Sequence, residues 1–154
     1  MPALTSPALL FAAMFTASLL APLPALADNA SAVGLWKNID DQTGKPKAEI
    51  RISESNGVLH GRIEKLYRPA GEDQHPICDK CTGEDKGRPI IGLSIIDGMK
   101  KDGDGYAGGT ILDPENGKVY KSKMKLVEGG RKLEVRGYIG VPVLGRSQTW
   151  VRQE

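Results

Sequence analysis

The stretch Tyr120-Lys121-Ser122-Lys123-Met124-Lys125-Leu126 decides the fold class. Tyr120, Ser122, Met124 and Leu126 fall on one side of an extended chain, and Lys121, Lys123 and Lys125 on the other. That period of two is what a half-buried β-strand requires. Glu128-Gly129-Gly130 then turns the chain, and Leu133, Val135, Gly137 and Ile139 alternate with Lys132, Glu134, Arg136 and Tyr138. Two alternating runs joined by a Gly-rich turn form a hairpin.

Working outward, the same grammar recurs. Asp113-Pro114-Glu115-Asn116-Gly117 is a tight turn, with Pro preset for its first corner and Gly for its last. Before it, strands are expected at residues 106–112 and 90–96, joined through Asp102-Gly103-Asp104-Gly105. That acidic turn lacks the further oxygen ligands and terminal Glu of a calcium loop. Asn56-Gly57 is the two-residue hairpin signal between strands at 48–53 and 58–67, because both residues tolerate the positive φ of a type I′ turn. A first strand at 34–40 ends at Asp41-Gln42-Thr43-Gly44, and a last strand runs from about 144 to 152, after Val141-Pro142. Eight hairpin-joined strands fit an all-β, eight-stranded antiparallel up-and-down barrel, which removes exposed edges by closing; a sandwich is the alternative. No sustained 3.6-residue stripe appears, so any helix should be short.

Residues 1–27 carry no Lys, Arg, Asp or Glu. Their apolar core at 9–20 has the length of a signal-peptide h-region and is too short for a comfortable bilayer span. Ala25-Leu26-Ala27 supplies a small-residue cleavage pattern, so export to the periplasm with a cut after Ala27 is expected. No Cys stands near that cut to take a lipid. The mature segment, 28–154, is expected to be one domain and holds all 21 basic and 19 acidic residues. This near-balance argues against a dedicated nucleic-acid binder, and no later apolar run is long enough to span a membrane.

Residues 68–89 break the rhythm with three prolines, three glycines and both cysteines. A long loop in a small β domain is often functional, so an envelope protein docking there is one expectation. In an oxidising compartment Cys78 and Cys81 are expected to close a disulfide, which over four residues stabilises by only about 2 kcal/mol and so pins a loop. A redox role would want Cys78 at a helix N-terminus, and the following Thr82-Gly83-Glu84-Asp85 does not suggest a helix. A metal role would use His75, Cys78 and Cys81 as a local tripod, which needs reduced thiols.

The first strand opens with Gly34-Leu35-Trp36, and the last carries Arg146, Trp150 and Arg152. This resembles the lipocalin arrangement, in which a Gly-x-Trp on the first strand packs its indole against an Arg of the closing strand. A wider resemblance runs through Cys78-Asp79-Lys80-Cys81-Thr82-Gly83, Pro89-Ile90-Ile91-Gly92-Leu93, the segment 111–120 and Val135-Arg136-Gly137-Tyr138-Ile139-Gly140. The chain thereby resembles the bacterial exported family called domain of unknown function 2147. The resemblance implies a small periplasmic, lipocalin-like (calycin-like) domain, and it implies no activity.

On the last strand Arg146, Gln148 and Trp150 share one face. A barrel of this size, with 5% aromatic residues, is expected to fill its lumen with side chains sooner than to enclose a ligand. If that face points into an unfilled lumen, Arg146, Gln148, Trp150 and Trp36 are the ligand-binding candidates, suited to a small amphipathic or anionic molecule. His60 and His75 are the only histidines and no nucleophile elbow surrounds any Ser, so neither catalysis nor a cofactor is expected. The function expected is non-enzymatic ligand binding, with loop docking or metal handling as the alternatives. The lysine row is read as a solvated face, or as a weak attractor of acidic lipid heads.

Overall fold

A computed structural model describes residues 29–154 and, before them, Ala3 alone. The expected signal segment, with its cut after Ala27, otherwise lies outside the described residues. The strands are β1 (Gly34–Ile39), β2 (Pro46–Ser55), β3 (Val58–Leu66), β4 (Ser94–Asp102), β5 (Gly105–Asp113), β6 (Lys118–Val127), β7 (Lys132–Tyr138) and β8 (Arg146–Arg152). Each pairs antiparallel with the next, and β8 pairs with β1, which closes the barrel. Short 3-10 turns at Gly83–Asp85, Glu128–Gly130 and Pro142–Leu144 are the only helical segments among the described residues.

The alternation read from the sequence points as expected. Ala48, Ile50 and Ile52 of β2, Ser122 and Met124 of β6, and Leu133 and Val135 of β7 are buried inside the barrel. Lys121, Lys123 and Lys125 face solvent. Apolar residues inside and charges outside is the inverse of a lipid-spanning barrel. No helix among the described residues is long and apolar enough to cross a membrane. Asn56 and Gly57 take φ of 52° and 76°, the conformation a type I′ hairpin demands.

One end of the barrel is plugged. Trp36 on β1 lies directly opposite Arg152 on β8, and the guanidinium carbon sits 4.3 Å from the indole centroid. The same guanidinium donates to the carbonyls of Ser31 (2.6 Å), Gly130 (2.7 Å) and Val33 (3.0 Å). Trp36 Nε1 donates to Ala32 O at 2.8 Å, so the chain before β1 is folded across this end. Trp36 and Ala32 are fully buried as a result.

Three expected strand limits move, each for a backbone reason. The strand expected at 90–96 begins only at Ser94: Pro89 has no N–H to give, and Gly92 kinks the chain at φ 95°. Ile139 does not continue the β7 alternation; the strand ends at Tyr138 and Ile139 is exposed, because Gly140 turns the chain at φ 76°. The last strand starts at Arg146, since Pro142–Leu144 form a 3-10 turn instead.

The segment 67–93 is more ordered than a polar loop suggests. Cys78 N donates to Arg88 O and Gly87 N to Cys78 O, both at 2.8 Å, and Ile77 bridges Pro89. The Cys78–Cys81 disulfide closes inside this small ladder, and both half-cystines are buried as part of the apolar core. The loop is seated on the β5–β6 turn: Cys78 Sγ lies 3.6 Å from Pro114 O, and a Cβ at Gly117 would stand 1.9 Å from Lys80 O. The clasp therefore fastens the loop to the barrel rim.

Candidate functional site

The lumen is not filled, contrary to the expectation from barrel size. A cavity of about 730 Å³ occupies the half of the barrel opposite the Trp36–Arg152 plug. It opens where the β1–β2, β3–β4, β5–β6 and β7–β8 connections converge, since residues of all four line it. Its volume lies within the range of small-molecule pockets. The lining is about as polar as it is apolar: Ile50, Ile63, Ile95, Ile111 and Val135 supply an aliphatic belt, with Trp150 on the side toward the plug. The inward residues here are no larger than Ile over most of the circumference, and Ala48 and Gly137 also line it. Small side chains on separate strands leave space that one strand alone could not reveal.

The inward face of β8 forms a ladder from mouth to plug: Arg146, Gln148, Trp150, Arg152. Arg146, Gln148 and Trp150 line the cavity as the alternation placed them. Trp36 does not. Its indole is covered by Arg152 and committed to Ala32, so it supports the floor from below and is out of a ligand's reach.

Two amides stand above Trp150. Gln148 Oε1 accepts from Asn38 Nδ2 (2.9 Å) and from Trp150 Nε1 (3.2 Å), which leaves the Gln148 amide N–H groups uncommitted to the wall. Asn38 Oδ1 is buried with no hydrogen-bond partner among the described residues. An uncommitted donor and a buried unpaired acceptor, side by side at the cavity edge, form a polar spot with unmet hydrogen-bonding capacity. Asn38 was missed from the sequence, although it follows Trp36 by two residues on the same strand face. Its significance depends on Gln148, 110 residues away.

The mouth is charged, with carboxylates in excess and every cation paired. Asp40, Asp41, Glu72, Asp113 and Glu115 line it, against Lys47, Arg68 and Arg146. Each of those cations has a carboxylate partner. Lys47 pairs with Glu115 at 2.5 Å, Arg68 with Glu72 at 3.1 Å, and Arg146 with Asp41 through two contacts, one of 3.0 Å. The Arg146 hydrogen bond holds the Asp41 carboxyl below its ordinary value of 3.8, and Asp41 in turn raises the guanidinium. Asp40 is lowered as well, chiefly by the backbone N–H of Thr43, which donates to it at 2.7 Å. Tyr67, also on the wall, donates its hydroxyl to Glu49, and that bond raises the phenol.

The remaining candidates lie elsewhere. The sulfurs of Cys78 and Cys81 are bonded to each other, so the alternative tripod with His75 cannot assemble. Among the described residues no group of three His, Cys, Asp or Glu side chains is arranged to hold a metal ion. His60 pairs with Asp97 at 2.7 Å on the exposed outer face, and neither histidine lines the cavity.

The fold matches a solved structure described as "Protein HP1028 from the human pathogen Helicobacter pylori belongs to the lipocalin family". The TM-score is 0.68 at 17% sequence identity, covering 81% of this chain and 84% of that one. At that identity the likeness is one of fold. No curated protein sequence matches the chain. Residues 34–152 match the family described as "Uncharacterized protein conserved in bacteria (DUF2147)", and the chain belongs to that family.

Proposed function

We propose that this protein is a non-enzymatic carrier that holds one small amphipathic molecule in the open half of its barrel. The observation that carries the reading is the cavity of about 730 Å³, which combines an aliphatic belt with a polar spot at Asn38 and Gln148. Burying an apolar ligand there gains roughly 25 cal/mol per Å² removed from water, while a single polar group on the ligand satisfies the unpaired amide atoms. Of the ligand chemistries the sequence suggested, a neutral head group fits better than an anionic one. Arg146, the cation that motivated the anionic choice, is engaged by Asp41, and carboxylates outnumber cations at the mouth.

The chain acts in the periplasm on this reading, freed of residues 1–27. Their uncharged apolar composition supports export, and a buried disulfide suits an oxidising compartment.

The test uses the neutral fluorophore N-phenyl-1-naphthylamine on the mature chain. Saturable one-to-one binding is expected, displaced by a monoacylglycerol more effectively than by the fatty acid of equal length. Ala48→Trp places an indole in the cavity and should weaken binding by about tenfold or more. Absence of saturable binding, or binding that Ala48→Trp leaves unchanged, would overturn the proposal.

A further inference from the structure

The connection between β7 and β8 presents its aliphatic side chains to water. Val143 is 79% exposed and Leu144 77%, with Val141 and Ile139 also more than half exposed. Val119, exposed on the outer face of β6, lies two positions toward the mouth from Lys121, which pairs with Tyr138 at the end of β7. Four large aliphatic residues of one short connection are thus exposed together at the barrel mouth. Contiguous exposed apolar surface is characteristic of an interaction site.

The loop is held in this conformation by Arg136. Its guanidinium donates to Pro142 O (2.6 Å), Gly145 O (3.0 Å), Val143 O (3.2 Å) and Ser147 Oγ (2.8 Å). All four acceptors are neutral, so Arg136 fixes the loop and keeps its positive charge. Lys123 lies directly across the ladder from Arg136, and Lys121 lies one step nearer the mouth. Among the described residues neither lysine forms an ion pair, whereas Lys125, farther from the mouth, is paired with Asp104 at 2.8 Å. Three cations without carboxylate partners therefore stand directly behind an apolar tip. The carboxylates of the mouth belong to the other three connections, so the charge is asymmetric.

We infer that the Ile139–Leu144 loop, with Lys121, Lys123 and Arg136, docks the barrel mouth on an anionic lipid surface. An apolar tip that enters the head-group region beside cations that meet acidic phosphates is the combination that binds interfaces reversibly. Ile139 and Leu144 also line the cavity, so the apolar surface is continuous from the lipid-facing tip to the lumen. A ligand could then pass between bilayer and barrel without crossing water. This last step rests on the carrier reading; the docking itself does not.

The experiment is co-sedimentation of the mature chain with vesicles of equal parts phosphatidylethanolamine and phosphatidylglycerol, and with pure phosphatidylcholine vesicles. Binding is expected to the first and not the second, and to fall as salt rises. Each exposed lysine on a strongly anionic surface contributes roughly fivefold, so Lys121→Glu with Lys123→Glu should weaken binding by about tenfold or more. Val141→Asp with Val143→Asp, neither of which lines the cavity, should weaken it about as much while N-phenyl-1-naphthylamine binding is retained. Failure of the parent chain to bind anionic vesicles, or indifference to either double variant, would overturn the proposal. So would a dimer in light scattering that Val141→Asp with Val143→Asp dissociates, since the patch would then join two copies of the chain. Loss of fluorophore binding with vesicle binding intact would refute the carrier reading and leave the docking standing.

Discussion

Arg152 is where one substitution tests how the barrel is closed. Its guanidinium makes three short hydrogen bonds to the carbonyls of Ser31, Gly130 and Val33 and covers the Trp36 ring at 4.3 Å. A hydrogen bond involving a charged group contributes about 1.5 kcal/mol or more, and a partly buried cation over an indole about 1 kcal/mol. Water can replace part of this once the side chain is gone, so Arg152→Ala should destabilise the fold by about 3 kcal/mol rather than the full sum. For a domain of this size that lowers the melting temperature by about 10 °C. Arg152→Lys keeps the charge and loses the planar fork, and a loss of about half is expected. Urea unfolding followed by tryptophan fluorescence supplies the free energies. The floor of the cavity lies on the far side of Trp36, so fluorophore binding at low temperature should survive either change. A loss below about 1 kcal/mol for Arg152→Ala, or a Lys variant as stable as the parent, would refute this account of the plug.

Three further outcomes follow from the geometry. Reducing the Cys78–Cys81 disulfide should lower stability by about 2 kcal/mol with the far-ultraviolet dichroism of the barrel unchanged, as thermal scans with and without a phosphine reductant would record. Gly117→Ala sets a Cβ against the backbone carbonyl of Lys80 at φ 72°, a conflict no rotamer relieves and that should cost about 2 kcal/mol or more. Its amide shift changes should include Lys80 and Cys81; changes confined to the β5–β6 turn would count against the seating of the clasp. The Asp41 carboxyl titrates below its ordinary 3.8 when folded, so the rim pair contributes above that pH and fades as pH falls through the folded value. The stability difference between the parent and Asp41→Asn should accordingly be constant from neutrality to about pH 5 and fade in stronger acid, as measured by denaturant titration at each pH.

Much of the barrel was legible because a strand announces its two faces locally. The lysine alternation of β6 and the Asn56-Gly57 pair sufficed for two hairpins, and the β8 alternation set Gln148 and Trp150 on one face, which the closed barrel turns inward. Legibility failed where the backbone left the ladder. Ile139 continues the apolar rhythm of β7 and yet lies outside, because Gly140 turns the chain and Arg136 ties the next carbonyls down. The cysteines sit among charged residues in the sequence and are nonetheless buried, since their loop folds onto a turn some 36 residues on.

The sequence by itself determined the number of strands, their hairpin order and which residues share a face, for these follow from contacts between residues a few positions apart. It also brought a Trp and an Arg to opposed ends of the chain, where only closure could join them. Whether the lumen is filled was decided by the tertiary structure alone. The free volume depends on side chains from all eight strands together, Ala48 and Gly137 among them. The same is true of the polar spot and the apolar tip. An amide is unsatisfied, or an aliphatic loop exposed, only in relation to what the rest of the chain brings beside it.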